Sequence, residues 1–215
     1  MNTFNINIPK SIIPLLIFTL VLNLLRIIIW GKFSFIYIIW NIFLAFVPFL
    51  ISVILLRLNE INKLKTSIFI IIGFIWLLFI PNAHYIITDL IHVGEVKYVP
   101  VVYDVFLLFS AALVGLLFGL YSLSHMEKII KTKFSKRATS LSMLVIFLLI
   151  GFGIYIGRFM RFNSWDFFSN HISILNSFHE IFSNNTDYIE VFLYIILFSF
   201  FVYVSFKSWK YMNIE

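Results

Sequence analysis

Six apolar runs, each close to the length of a bilayer crossing, constrain this chain more than any other feature. They lie at about Ile12–Trp30, Phe35–Leu56, Thr66–Ile80, Asp104–Leu123, Ala138–Gly157 and Tyr188–Phe206. Lipid offers no partner to a backbone N–H or C=O. A segment crossing it must satisfy its own groups, as a helix does, and about 20 residues span the hydrocarbon. The third run is the shortest and stops at Pro81, so the residues after the proline are expected to complete its crossing. The first run is followed by a tight turn, Gly31-Lys32-Phe33-Ser34, and by no small-residue cleavage site, so it reads as a retained helix. Hydrophobic residues are 61% of the chain and charged ones 12%, too apolar a balance for a soluble domain. The expected fold is all-α: an integral membrane bundle of six transmembrane helices, a single domain over residues 1–215, with no internal repeat and no linker.

Basic residues set the expected threading. Lys10, Arg57, Lys63, Lys65, Lys128, Lys131, Lys133, Lys136, Arg137, Lys207 and Lys210 fall on one side, eleven against the five of Arg26, Lys32, Lys97, Arg158 and Arg161. The richer side is expected to be cytoplasmic, with both termini there. This asymmetry accounts for the net charge of +6 and removes the case for nucleic-acid binding. The partner expected from composition is the lipid bilayer. Cysteine is absent, which excludes disulfides, thiolate metal sites and a cysteine nucleophile.

On the outer side, Pro81 to His92 carries a dense polar stripe. Read as a helix starting at Pro81, it puts Asn82, Tyr85, Asp89 and His92 on one face, at steps of three, four and three. The fourth run carries Ala111, Gly115 and Gly119 and the fifth Gly153 and Gly157, small residues that allow two helices to approach. Pairing these two helices would bring Asp104 near Arg158. Arg26 is expected to snorkel outward, the alternative being an outer acid as partner. After Arg158 and Arg161, Asn163 or Ser164 is placed to cap a helix with Asp166 in its first turn. The apolar residues Trp165, Phe168, Ile172, Leu175, Phe178 and Phe182 then recur at helical spacing, as expected of an amphipathic helix on the outer surface. Asn185 or Thr186 is placed to cap the sixth run, and Asn184-Asn185-Thr186 is a glycosylation sequon that matters only in a eukaryotic secretory pathway.

The candidate outer-face site is therefore Asn82, Tyr85, Asp89, His92, Asp104, Arg158, Arg161, Asn163 and Asp166. Three chemistries suit it. Asp89 and His92 at i, i+3 can face one metal, although no second acid-x-x-His follows and the metal stays unknown. The same pair can act as an oriented general base, with Ser164 as the available hydroxyl and no nucleophile elbow around it. Arg158, Arg161 and His92 can hold an anionic group, either a small ligand or a lipid-linked one. Against all three stands the plainer reading, Asp104 with Arg158 and Asp89 with Arg161 as locks between loops and helix ends. No motif calls for a cofactor, and catalytic residues are not assigned.

Phe79-Ile80-Pro81-Asn82-Ala83-His84-Tyr85-Ile86-Ile87-Thr88-Asp89-Leu90-Ile91-His92, Tyr103-Asp104 and Gly157-Arg158-Phe159-Met160-Arg161-Phe162-Asn163-Ser164-Trp165-Asp166 resemble the bacterial multi-pass membrane family catalogued as domain of unknown function 1361. The resemblance implies a bacterial cell (inner) membrane protein and supplies no activity. The function expected from the residues is a binding or transport-associated membrane protein, the alternative being a membrane hydrolase or transferase acting on a lipid-linked or cell-envelope substrate.

Overall fold

A computed structural model of the chain describes residues 8–174, 176–177 and 188–212. Among them there is no strand, and six helices are long and apolar enough to cross a membrane. The protein is an all-α, multi-pass membrane protein. The crossings are α1 (Ile13–Trp30), α2 (Tyr37–Glu60), α3 (Thr66–Tyr85) with its extension, α4 (Val101–Lys133), α5 (Lys136–Phe159) and α7 (Tyr188–Met212). Pro81 lies inside α3 rather than at a helix start. Beyond Tyr85 the chain tightens into a 3-10 helix, Ile86–His92. With it the third crossing reaches 27 residues, Thr66–His92. Pro14 opens α1, where its missing N–H costs nothing, and Gly31 closes it at φ 62° with its N–H on the Ile27 carbonyl.

Two groups of contacts define the ends of the bundle. Arg26 with Asp104, Asn41 with Asp89, Asp89 with Arg158 and Asn82 with Ser164 gather at one end. Ser11 with Tyr121, Lys128 with Glu60, Lys133 with the Leu64 carbonyl and Lys210 with Glu127 gather at the other. Successive crossings thus alternate in direction, and both described termini lie at the second end. α4 is central, packed against α1, α2, α3 and the 3-10 segment, while α5 packs on α3 and α7 on α5. At 33 residues α4 is about 50 Å long, so its last turns stand beyond a hydrocarbon core of about 30 Å.

α1 is built inside out. Its buried residues are Thr19, Asn23 and Arg26, on one stripe, while Ile17, Leu24 and Ile28 face outward. Lipid tails are as apolar as leucine, so apolar residues gain little by turning inward, and polar ones gain partners. Thr19 Oγ1 donates to Ser110 Oγ at 2.9 Å and Asn23 Nδ2 to the Phe35 carbonyl at 2.9 Å. Arg26, expected to snorkel, is instead 1% exposed and bonds Asp104 through Nε at 3.0 Å. Nη2 reaches the other Asp104 oxygen at 3.5 Å, and Nη1 meets Ser34 Oγ at 2.8 Å and the Lys32 carbonyl at 3.5 Å. Deeper in the bundle, Trp76 Nε1 donates to Ser122 Oγ at 2.7 Å, which donates to the Pro48 carbonyl at 3.0 Å. That relay joins α3, α4 and α2 at the proline of α2.

The small residues of α4 and α5 do not pair those two helices with each other. Both sets grip α3 from opposite sides. A Cβ at Gly115 would lie 2.5 Å from the Ala83 carbonyl oxygen, one at Gly119 2.5 Å from the His84 ring, and one at Gly153 2.4 Å from the Pro81 ring. Pro81 and its neighbours are the rigid wedge in this clasp. Gly115→Leu and Gly153→Leu are each expected to lower the unfolding midpoint in detergent. Overpacking costs about 1–3 kcal/mol, and the Ala83 backbone cannot swing aside as a side chain can. Gly73→Ala is the control: its Cβ would meet only the end of Met126 at 3.8 Å, and alanine is the better helix former, so stability should hold or rise.

The surface helix expected over Trp165–Phe182 is interrupted. Asp166–Ser169 (α6) is a single turn, Asn170 leaves helical geometry at φ −139°, and residues 171–174 return to it. Residues 178–182 and the expected cap at Asn185 or Thr186 lie outside the described residues. Trp165, Phe168 and Ile172 are exposed, in keeping with the apolar stripe.

Candidate functional site

At the Arg158 end a cavity of about 1000 Å³ opens between α2, the end of α3, the end of α5 and the 157–163 turn. Tyr37, Trp40 and Asn41 come from α2, Asn82, Tyr85 and His92 from α3 and its extension, and Arg158, Arg161 and Asn163 from α5 and the turn. The volume is at the upper end of ordinary ligand pockets.

Arg158 organises the wall. One amino nitrogen reaches Asp89 Oδ1 at 3.3 Å and Tyr85 Oη at 3.5 Å, and the other reaches His92 Nε2 at 2.9 Å. A guanidinium only donates. His92 Nε2 therefore accepts, and Nδ1 carries the proton that is donated to Glu95 Oε1 at 2.7 Å. The chain Glu95–His92–Arg158–Asp89 is closed by Asn41, whose Nδ2 donates to Asp89 Oδ2 at 3.0 Å. Asp89 is 1% exposed, and each of its oxygens has a partner. The 3-10 geometry matters here. At about three residues per turn Asp89 and His92 stack one above the other, so both meet the same guanidinium.

The turn after α5 is tied back to α3. Asn82 Nδ2 donates to Ser164 Oγ at 2.8 Å, and Ser164 donates onward to the Leu78 carbonyl at 2.7 Å. Neither Asn163 nor Ser164 caps a helix by its side chain. Instead Asp166 Oδ2 reaches back and accepts from the Asn163 backbone N–H at 2.6 Å. Arg161 sits in this turn at φ 58°, a left-handed geometry that is uncommon outside glycine and asparagine. It is exposed, and it makes no hydrogen bond or ion pair among the described residues. Tyr37 Oη is buried and has no hydrogen-bond partner among them either; its ring stands edge-on to His92 at 6.5 Å.

Of the residues singled out from the sequence, Asn82, Tyr85, His92, Arg158, Arg161 and Asn163 line this cavity. Asp89 stands behind Arg158 and Asp166 behind Asn163. Asp104 does not belong to the cluster. Its partner is Arg26, so the expected Asp104–Arg158 contact is replaced by Asp89–Arg158, and the expected Asp89–Arg161 contact is not formed. The reason lies in the packing of α1, which brings its stripe of polar residues against α4 and occupies Asp104. Tyr37, Asn41 and Glu95 were missed. Asn41 carried a usable signal as the lone amide near the start of an apolar run, where an amide in lipid needs a partner.

The wall is therefore rich in donors facing the space, with Asp89 and Asp166 in the layer behind and Glu95, exposed, on Nδ1 of His92. Among the described residues no three His, Asp or Glu side chains gather closely enough to hold a metal ion. Ser164 has no histidine on its hydroxyl and is bonded to Asn82 and a backbone carbonyl.

No curated protein and no solved structure matches the chain. Residues 40–205 match the model of the family described as a protein of unknown function (DUF1361). That stretch runs from the first turn of α2 well into α7 and takes in the whole cavity wall except Tyr37, so the chain belongs to the DUF1361 family.

Proposed function

We propose that the protein is a non-catalytic, binding or transport-associated protein of the cell membrane, and that its cavity receives an anionic group, free or lipid-linked. The observation that carries this is the lining: two arginines and no carboxylate face the space, and Arg161 is held there in a left-handed turn without a partner among the described residues. Guanidinium pairs with phosphate and carboxylate in a planar, two-pronged fashion. Thermal unfolding in detergent tests it. Inorganic phosphate should raise the midpoint of the wild type, and Arg161→Gln should abolish the rise while leaving the ligand-free midpoint near wild type. No rise with phosphate, or an equal rise in the variant, would defeat the reading.

The cavity is assigned to the outer face and both termini to the cytoplasm. Arg26 is buried and withdraws from the charge balance, leaving four basic residues at the cavity end against eleven at the other. Reporter fusions after Glu60 and Lys133 are expected to read cytoplasm, and one after Lys97 to read outside. A cytoplasmic reading at Lys97 inverts the assignment.

A second reading, a membrane hydrolase or transferase, has one observation behind it. Glu95 orients His92, as a carboxylate orients a catalytic imidazole, and His92 Nε2 faces the cavity wall at Arg158. If a ligand drew Arg158 away, that nitrogen would be free to take a proton. His92→Gln separates the two readings: binding of the anion survives it in a pure binder, and turnover of a phosphoester probe would be lost in an enzyme.

A further inference from the structure

A second cavity lies at the opposite end of the protein, about 730 Å³ in volume, between the last turns of α4, the start of α5 and the end of α7. Its rim carries Lys131, Lys136, Lys207 and Lys210 against a single acid, Glu127. Glu127 is already committed. Lys210 bonds both its oxygens at 2.8 Å, and Lys131 approaches one at 3.2 Å. Lys136 and Lys207 have no carboxylate partner among the described residues, and Lys207 only overhangs the Tyr203 ring at 5.7 Å. The charge is also placed against the local field. Lys136 and Arg137 sit in the first turn of α5, with no acid there, where a helix dipole favours negative charge.

Below this rim, past Thr139 and Ser140, the walls are apolar. Leu144 and Phe147 lie on α5, and Phe147 is eleven residues, about 16 Å, along the helix from Lys136. Tyr203 faces them from α7, its ring 5.7 Å from that of Phe147. Leu144 and Tyr203 are exposed, so the apolar part opens sideways between helices, where lipid chains lie in a membrane protein. α4 and α5, though consecutive, make few contacts with each other because both lean on α3, and that divergence creates the crevice.

We propose that this crevice is a binding site for an anionic phospholipid whose headgroup carries two negative charges. The phosphate would sit among Lys131, Lys136, Lys207 and Lys210, with the acyl chains along Leu144, Phe147 and Tyr203. Four lysines against one glutamate leave an excess of three positive charges, more than a singly charged headgroup neutralises. A free anion would use the rim and leave the apolar shaft unfilled, which is why the ligand is assigned to the lipid class. Basic pockets between transmembrane helices are suited to such headgroups.

Native mass spectrometry of the full chain released from detergent, titrated with phosphatidic acid and with phosphatidylcholine, tests the site. The wild type is expected to retain phosphatidic acid at much lower concentration than phosphatidylcholine. Lys136→Gln with Lys207→Gln should weaken that retention by about 25-fold, at about fivefold per lysine, without affecting phosphatidylcholine. Both side chains are exposed, so the double variant should fold; each single variant gives a smaller loss as a check. Lys63→Gln with Lys65→Gln, basic but outside the crevice, should change nothing, and the Lys136/Lys207 loss should be the same size in an Arg161→Gln background, which separates this site from the cavity at the other end. Equal losses in the Lys63/Lys65 control would reduce the effect to general surface charge and overturn the site. Displacement of the lipid by inorganic pyrophosphate at equal concentration would overturn the lipid assignment.

Discussion

Asp104→Leu is expected to destabilise the protein by about 3–5 kcal/mol, the usual consequence of leaving a buried charge without its partner. The charge left behind is Arg26, 1% exposed and between helices. Its fork now meets both Asp104 oxygens, at 3.0 and 3.5 Å, and its plane stands 4.1 Å from the Phe35 ring centroid. Without the carboxylate only Ser34 Oγ and the Lys32 carbonyl remain as acceptors. Arg26→Met should be comparably severe, because it strands a fully buried carboxylate. The double variant, Arg26→Met with Asp104→Leu, should recover most of the loss, since apolar residues of similar size replace a buried pair with little penalty. Unfolding of purified protein in mixed detergent, across all four proteins of the cycle, measures this. Strictly additive losses would mean that the two charges do not depend on each other.

The second large effect is expected at Arg158, and it should be lopsided. Among the described residues, Arg158→Gln removes the only cationic side chain bonded to Asp89 and leaves that carboxylate buried with Asn41 alone. A loss of about 3 kcal/mol is expected. Asp89→Asn should cost less. Arg158 is 12% exposed, keeps His92 and Tyr85, and can turn toward the open cavity. In the cycle of the two, the double variant should be less damaged than the sum. If Asp89→Asn proves the more damaging, the buried carboxylate does something besides hold Arg158. Anion binding in Asp89→Asn is a separate readout. Arg158 released from its carboxylate should hold phosphate at least as well as before, whereas a loss of binding would place Asp89 in contact with the ligand.

Much of the candidate site was legible because lipid makes polar residues conspicuous. The stripe of Asn82, Tyr85 and His92 and the pair Arg158 and Arg161 stood out against an apolar chain, and all five line the cavity. Pairing was less legible. The sequence shows that Asp104 and Arg158 are both near the same membrane boundary, but not which of several acids each arginine meets. Arg26 illustrates the point. A long side chain near a helix end can snorkel or pair, and nothing in its own helix decides which. The Gly115 and Gly153 patterns suggest one shared interface because the helices are consecutive. Spacing of small residues marks a face that can be approached closely and says nothing of what approaches it.

The number, length and helical nature of the crossings follow from the chain alone. In hydrocarbon each segment must bond its own backbone, and that requirement is local, met by about 20 apolar residues wherever they occur. The continuation through Pro81 to His92 belongs to the same class, since the third run was too short without it. Which faces meet is settled only in three dimensions. Lipid is indifferent among leucine, isoleucine and phenylalanine, so the apolar pattern of α1 carries no instruction about its inner side. Thr19, Asn23 and Arg26 turn inward because their partners Ser110, Phe35 and Asp104 are there, and those partners lie 12 to 91 residues away in the chain. With Asp104 taken by α1, Arg158 is left to Asp89 and His92, and the cavity acquires its donor-lined wall from that choice.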